Sequence, residues 1–151
     1  MTVRNLFACL AVAIVALTAA PALHAAGSEP PAGGESDVLT RARELIKEKD
    51  YKGAIPLLNM TVAEQPKNAD AFNWLGYSLR KSGDFKAAEG AYMKALAIEP
   101  KHKGALEYLG ELYVETKRPE KAREILARLQ AACPGGCEEL DDLKKALGAA
   151  N

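Results

Sequence analysis

The apolar positions of residues 69–102 recur every three or four residues, which is the period of an α-helix. They fall into two sets: Phe72, Leu75, Gly76 and Leu79, followed by Phe85, Ala88, Tyr92, Ala95 and Leu96. A polar turn over residues 82–84 separates the sets, and Pro100 ends the second because proline is not tolerated in a helix interior. Gly76 and Ala88 are small enough to let two helices approach closely. The pattern predicts a hairpin of two antiparallel helices.

This hairpin pattern recurs at a constant interval along the chain. Prolines mark the interval at Pro66, Pro100 and Pro134, and we call the distance from one of these prolines to the next the repeat interval. The segments aligned on them need no insertion or deletion, and they run over 35–68, 69–102 and 103–136. The third segment has Leu106, Leu109, Gly110 and Tyr113 at the positions of the first apolar set, whereas the first segment is a weaker copy. A fixed period of this length is typical of stacked repeats, and three hairpins are expected.

A further amphipathic helix is predicted over residues 137–148. Leu140, Leu143 and Leu147 form its apolar stripe, and acidic residues in the first turn with lysines in the last suit the helix dipole. The last unit of a stacked array has no neighbour on its outer side. We therefore expect this capping helix to cover the apolar edge of the third hairpin.

The first 25 residues have the three parts of a secretory signal peptide. These are Arg4, an uncharged apolar run over residues 6–20, and an exit rich in small residues. Cleavage is expected after Ala25 or Ala26, and the alternative is an uncleaved anchor, because the uncharged stretch is near the length that spans a bilayer. Residues 26–34 are rich in Gly and Pro and predict a flexible leader. The protein is therefore expected to be exported to the bacterial periplasm, without stable membrane insertion after cleavage.

The charge balance and the histidine content argue against several functions. Lys and Arg number 20 and Asp and Glu number 20, so no overall positive charge is available to bind nucleic acid. No strand is predicted that would precede a phosphate-binding loop. After the predicted signal peptide, His102 is the only histidine, and it is expected to be a solvated loop residue. One histidine does not make a metal site or a catalytic triad. We expect neither an enzyme, nor a cofactor, nor a metal site.

Two cysteines, Cys133 and Cys137, follow the predicted cleavage site. An even number in an oxidising compartment favours a disulfide, and the intervening turn, residues 134–136, is flexible enough to bring the sulfurs together. Such a bridge would hold the capping helix at a fixed angle to the third hairpin. A redox-active pair, a Cu(I) site and free thiols are the alternatives. No C-x-x-C motif is present, and no His or Met lies in the adjoining segment.

The spacing Phe72-x2-Leu75-Gly76-x2-Leu79, followed by Ala88-x3-Tyr92 and Pro100, resembles the tetratricopeptide repeat. The resemblance covers residues 35–136 and departs from the pattern at Arg41 and Ala42 in the first copy. It implies an all-α fold, a right-handed α-solenoid of three helical hairpins plus the C-terminal capping helix. It also implies that the first helix of each hairpin lines a concave groove.

The same resemblance places a set of side chains in that groove. They are Leu39, Arg43 and Lys47 in the first copy, Asn73, Tyr77, Arg80 and Lys81 in the second, and Glu107, Glu111 and Glu115 in the third. The charge changes from basic to acidic along the groove, which suits a bound peptide of opposite polarity. The alternative is that these are ordinary solvated charges. Trp74 and Tyr108 share one repeat position and either pack between repeats or rim the groove.

These features favour a non-catalytic adaptor that binds a segment of another protein, of unidentified sequence, in the groove. Family members that grip a terminal carboxylate do so with Lys, Asn and Arg at set positions. Several of those positions hold Leu39, Trp74, Gly104 and Tyr108 here, so that function is not transferred. The alternative function is a thiol redox or copper-handling accessory protein acting through Cys133 and Cys137.

Overall fold

The structure, a computed structural model, describes residues 37–149. In this part of the chain seven helices follow one another without a strand. They are α1 (Asp37–Lys47), α2 (Tyr51–Glu64), α3 (Ala69–Lys81), α4 (Phe85–Ile98), α5 (Lys103–Glu115), α6 (Pro119–Ala132) and α7 (Glu138–Ala149). The prediction of an all-α fold built from helical hairpins is confirmed. The predicted signal peptide and leader, residues 1–34, lie outside the described residues, and no helix of the described part is long and apolar enough to cross a bilayer.

The helices pack as pairs that stack in order. Within each pair α1 contacts α2, α3 contacts α4 and α5 contacts α6, while α2 contacts α3 and α4 contacts α5 between pairs. The first helices of the pairs also contact one another, α1 with α3 and α3 with α5. Helix α7 packs against α5 and α6, on the outer side of the third hairpin. It therefore covers both helices of the third hairpin.

The buried interior joins all the hairpins. One apolar cluster lies mainly in the first hairpin and reaches α3 and α4, and a second extends from α3 to α7. Val62 and Leu79 pack against both clusters, so the interior is continuous between hairpins. Leu39, expected in the groove, is a buried member of the first cluster. Its apolar side chain contributes to the core rather than to an open binding surface.

The helix starts follow the same repeat interval. Asp50 and Asp84 begin the second helices of their hairpins, and each accepts a hydrogen bond from a backbone N–H three residues later. Asn68 begins α3 in the same way. These caps satisfy backbone donors that a helix leaves unpaired at its start. In the third hairpin, Pro119 at the first turn replaces the side-chain cap of α6.

The expectation that His102 is a solvated loop residue is wrong. Its Nδ1 accepts a hydrogen bond from the backbone N–H of Ala105 at 3.1 Å, and its Nε2 lies 2.9 Å from Oδ1 of Asp70. The imidazole side chain is 10% exposed. His102 stands one repeat interval after Asn68 and has the same capping role at the start of α5. The repeat alignment therefore contained the signal for this role.

The tight contact within the second hairpin pairs the smallest side chain with a large one. A Cβ added at Gly76 would lie 2.6 Å from ring carbons of Tyr92, which is fully buried. The first hairpin has Ala42 and Leu58 at the corresponding positions, both fully buried. In the first hairpin, the larger Ala42 thus faces the smaller Leu58, whereas in the second hairpin Gly76 faces the larger Tyr92. The two positions are expected to be coupled in stability.

We predict that Gly76→Ala lowers the free energy of unfolding by about 1–2 kcal/mol, because overpacking against the buried Tyr92 ring outweighs the better helix propensity of alanine. In a Tyr92→Leu background, which copies the first hairpin, the same substitution should have a smaller cost. Urea unfolding of the two single variants and the double variant gives the coupling. Gly90, on α4 with open space around its Cα, is the control, and Gly90→Ala should stabilise the protein. Equal costs for Gly76→Ala in both backgrounds would contradict the argument.

Candidate partner-binding groove

The predicted groove residues lie on the first helices of the three hairpins, which contact one another in the order α1, α3, α5. We call the surface of these helices that carries the predicted residues the groove. The residues differ in exposure: Lys47, Lys81 and Glu115 are exposed, Arg43, Tyr77 and Glu111 are half-buried, and Asn73, Arg80 and Glu107 are buried. The nine predicted residues are grouped in space in the order that the repeat alignment implies, but three of the nine are buried from solvent. Their role in binding a partner stays a prediction.

Arg80 is a buried cation held by both acidic and aromatic side chains. Its side chain is 2% exposed, its Nη2 lies 2.6 Å from Oε2 of Glu111, and its Nη1 lies 2.9 Å from Oε1 of Glu115. The guanidinium carbon is 5.7 Å from the ring centre of Tyr77 and 5.6 Å from that of Tyr108. The sequence-based picture of a basic region and a separate acidic region is therefore corrected at this point, because α3 and α5 lie side by side and these charges pair.

Aromatic side chains form a row across the groove. The ring centre of Tyr77 is 6.0 Å from that of Trp74, 6.0 Å from that of Tyr51 and 4.9 Å from that of Tyr108. Trp74 and Tyr108 are half-buried, and each packs against one of the apolar clusters. The sequence left open whether Trp74 and Tyr108 pack between repeats or rim the groove, and both alternatives apply. The two side chains join neighbouring repeats and keep part of their surface accessible.

Cationic side chains lie over two of these rings. The guanidinium carbon of Arg43 is 5.5 Å from the Trp74 ring centre, and Nζ of Lys81 is 5.4 Å from that of Tyr77. Lys47 and Lys81 are exposed. The α1 and α3 part of the groove is therefore an aromatic surface flanked by positive charge.

Glu107 gives the α5 end of the groove a different character. The residue is 8% exposed. Burial, together with the negative charges of Glu111, Asp142 and Glu139, raises the pKa of its carboxyl group to about 8, and Arg80 only partly opposes this increase. The two neighbours Glu139 and Asp142 belong to α7, so the capping helix contributes charge to this end of the groove.

The sequence-based site omitted Glu139 and Asp142, and the repeat contained a signal for Asp142 alone, which stands one repeat interval after Tyr108. Leu140, Leu143 and Leu147 stand one repeat interval after Leu106, Leu109 and Tyr113. Helix α7 thus continues the apolar spacing of the first helices in register, although it packs more extensively against α5 than the first helices pack against one another. Side chains near the groove positions of that helix were therefore candidates.

Cys133 and Cys137 form a disulfide between the end of α6 and the start of α7, with their Cα atoms 5.9 Å apart. Cys133 is buried in the same apolar cluster as the leucines of α7, and Cys137 packs against it. A carboxylate oxygen of Glu139 lies within 4.8 Å of both sulfur atoms. With the sulfurs joined to each other, neither is available as a thiolate ligand.

Two family models described as Tetratricopeptide repeat match residues 39–101 and 79–147. Superkiller complex protein 3 of Mus musculus is 30% identical over 105 residues, which is 70% of this chain and 6% of that protein. The chain spans less than a fifth of the length of each of the curated relatives that it matches.

Solved structures share the fold. One is the first TPR of Spaghetti (RPAP3) bound to the HSP90 peptide SRMEEVD, with a TM-score of 0.66, 19% identity, and coverage of 74% of this chain and 89% of that one. Another is the TPR2B-domain:pHsp70 complex of yeast Sti1, with a TM-score of 0.67, 18% identity, and coverage of 77% and 100%. The constant repeat interval, the stacked hairpins and the two family matches agree in position along the chain. This chain belongs to the tetratricopeptide-repeat family.

Proposed function

We propose that this protein is a non-catalytic adaptor that binds a segment of another protein in the groove. The observation that carries the proposal is the row of half-buried aromatic side chains at Trp74, Tyr77 and Tyr108, which run across adjacent first helices. Partly exposed Trp and Tyr side chains are enriched in protein interfaces and often dominate their binding energy. Here the rings stand on helices, so a guest would meet a largely preformed surface.

The charges around the row support an oriented guest. Lys47 and Lys81 are exposed on the α1 and α3 side, whereas carboxylates gather where α5 meets α7. An extended or helical segment with acidic side chains over the first two hairpins would complement this arrangement. The solved complexes of Spaghetti with an HSP90 peptide and of the Sti1 TPR2B domain with pHsp70 support peptide binding as the mode.

The test is selection from a random-peptide display library on the immobilised protein, followed by affinity measurement for the enriched peptides. We expect Trp74→Ala to weaken binding at least about tenfold, the size typical of an interface hot spot, and Lys81→Ala to weaken it less. Circular dichroism separates a folding defect of the Trp74 variant from a binding defect. Lys86→Ala, on the exposed side of α4, is the matched control and should bind like the wild type. Failure to enrich any peptide, or equal binding by all variants, would refute the adaptor proposal.

We also propose export to the bacterial periplasm, on the strength of the charge, apolar run and small-residue exit in residues 1–25. Cell fractionation tests this proposal. A shortened protein in the periplasmic fraction is expected, whereas full-length protein in the membrane fraction would indicate an uncleaved anchor.

A thiol redox or copper-handling role is the second candidate, because Cys133 and Cys137 lie together between α6 and α7 and, after reduction, would offer two soft thiolate ligands of the kind that Cu(I) prefers. Thiol titration separates the candidates. An unreactive disulfide, with unchanged peptide binding in the double variant Cys133→Ser/Cys137→Ser, favours the adaptor. Stoichiometric Cu(I) binding by the reduced protein favours the second role.

A further inference from the structure

We propose that the start of α5 and the side-chain amide of Asn73 form a subsite for the carboxylate of an aspartate or glutamate side chain in the bound segment. The donors are the Nδ2 group of Asn73 and the backbone N–H groups of Lys103 and Gly104, and we call these three residues the carboxylate subsite. The inference rests on the proposed peptide binding and adds to it a specific chemistry where α3 meets α5 in the groove.

The first turn of α5 has backbone donors without acceptors. His102 caps the helix, since its Nδ1 accepts from the N–H of Ala105 and its carbonyl oxygen accepts from the N–H of Leu106. The N–H groups of Lys103 and Gly104 have no hydrogen-bond acceptor among the residues that the structure describes. The first turn of α5 also contains no acidic side chain. Unpaired N–H groups and the helix dipole together favour an anion at such an end.

Asn73 supplies a second and independent indication of a ligand. It is 4% exposed, and its side-chain amide has no hydrogen bond within residues 37–149, although Oδ1 is fully buried. The first repeat holds Leu39 at the same position, also buried, so packing at this position does not require an amide. A buried amide without a partner costs folding free energy and is rare in native proteins. We infer that this amide serves binding rather than packing.

Gly104 brings the Asn73 amide and the start of α5 together. A Cβ added at Gly104 would lie 3.2 Å from Nδ2 of Asn73. This nitrogen is therefore within about 6 Å of the backbone nitrogen of Gly104, and one carboxylate can accept from both donors at about 2.9 Å. Gly104 has an ordinary helical backbone that any residue could adopt. Its missing side chain instead leaves the amide of Asn73 uncovered on the side of α5.

A carboxylate suits these donors better than a neutral acceptor does. Lys103 adds a positive charge beside the backbone donors, and hydrogen bonds to an ionised acceptor are about twice as strong as neutral ones. Asp70, the acidic residue beside His102, already accepts from the imidazole Nε2 at 2.9 Å. The cationic side chains that grip a chain terminus in other family members are replaced here by Gly104 and Tyr108. The carboxylate subsite therefore fits a side chain of the bound segment rather than its C-terminus.

Asn73→Leu is the decisive variant, and the chain indicates that it folds. Leu39 shows that the repeat accepts a buried leucine at this position. Gly104→Ala is the second variant, because it keeps every donor and places a methyl group against Nδ2 of Asn73. Gly90→Ala, on α4 with open space around its Cα, is the matched control. Circular dichroism checks that all three variants keep the helix content of the wild type.

The first experiment compares random-peptide selections on the wild type, Asn73→Leu and Gly90→Ala. We expect aspartate or glutamate to be enriched at one fixed position on the wild type and on Gly90→Ala, and this preference to disappear on Asn73→Leu. A selected peptide should lose about tenfold in affinity on Asn73→Leu, as for the loss of one charge-assisted hydrogen bond. Amidation of its C-terminus should leave the affinity unchanged. Peptides without a preferred acidic position, or binding that requires a free C-terminus, would overturn this inference and leave the adaptor proposal intact.

The second experiment does not depend on peptide binding. Acetate and its neutral analogue acetamide are titrated into the protein at constant ionic strength, and the backbone N–H signals of Lys103 and Gly104 are followed by NMR. Saturable shifts with acetate alone, reduced in Asn73→Leu and for Lys103 in Gly104→Ala, support the carboxylate subsite. Equal shifts with both compounds, or an equal acetate shift of Asp70 at the equivalent position of α3, would overturn it. If no peptide is selected and acetate still binds, the adaptor proposal fails while the carboxylate subsite stands.

Discussion

Replacing Arg80 with methionine is expected to lower the free energy of unfolding by about 2–4 kcal/mol, because methionine leaves Glu111 and Glu115 without their cation. It keeps an apolar contact with the rings of Tyr77 and Tyr108. Removing one partner of a buried ion pair usually costs about 3–5 kcal/mol. The lower range applies here because both carboxylates keep some contact with water.

Urea unfolding at pH 7 measures this loss, and a surface pair provides the control. Arg123 and Glu120 form an ion pair whose side chains are 52% and 81% exposed. Arg123→Met should therefore change stability by less than about 1 kcal/mol. Arg80→Lys is expected to fall between the wild type and Arg80→Met, since an ammonium group cannot make the two forked contacts. Similar losses of unfolding free energy for Arg80→Met and Arg123→Met would show that burial of the Arg80 ion pairs does not increase their contribution to stability.

The second large effect is a dependence of stability on pH that originates at Glu107. The pKa of its carboxyl group is about 8 in the folded protein, against a value of 4.5 without its surroundings. Between these values the folded chain keeps the proton and the unfolded chain has released it. Because the unfolded state then binds fewer protons, stability falls as the pH rises from about 4.5 to about 8. That difference in pKa corresponds to a loss of at most about 5 kcal/mol, which contact of the carboxyl group with water reduces, and the loss is complete above the folded pKa.

Glu107→Gln should remove this dependence and make the protein more stable than the wild type at pH 8. The groups that face Glu107 are Glu111 on its own helix, Glu139 and Asp142 on α7, and Arg80 on α3. Urea midpoints from pH 5 to pH 9 for both proteins give a difference curve from which most other titrating groups cancel. A difference that grows with pH is expected, whereas a flat difference would mean that Glu107 titrates as it does in the unfolded chain.

Much of the fold was predictable because it depends on local pattern. The apolar period locates each helix, the prolines locate the ends of the hairpins, and the constant repeat interval fixes which helices are equivalent. The leucines of α7 also predicted the capping helix. These features require only the geometry of a helix and the need to bury one of its faces.

The charges in the groove were not predictable to the same degree. Whether Arg80 faces solvent or is buried depends on how closely α3 approaches α5, and both of its carboxylate partners lie on that other helix. The raised pKa of Glu107 depends in part on Glu139 and Asp142 of α7, whose contribution to the groove was not anticipated. His102 is a different case, since its equivalence to Asn68 was available in the repeat alignment.

The register of α7 has a consequence for how such a protein changes in length. Because α7 covers both helices of the third hairpin, a second copy of that hairpin inserted between α6 and α7 would present α7 with the surface that it already covers. Each inserted hairpin would lengthen the groove that is available to a bound peptide, and α7 would remain the terminal helix. Duplication of a single gene segment would then yield a protein with a longer peptide-binding surface, while the first hairpin and the capping helix stay unchanged.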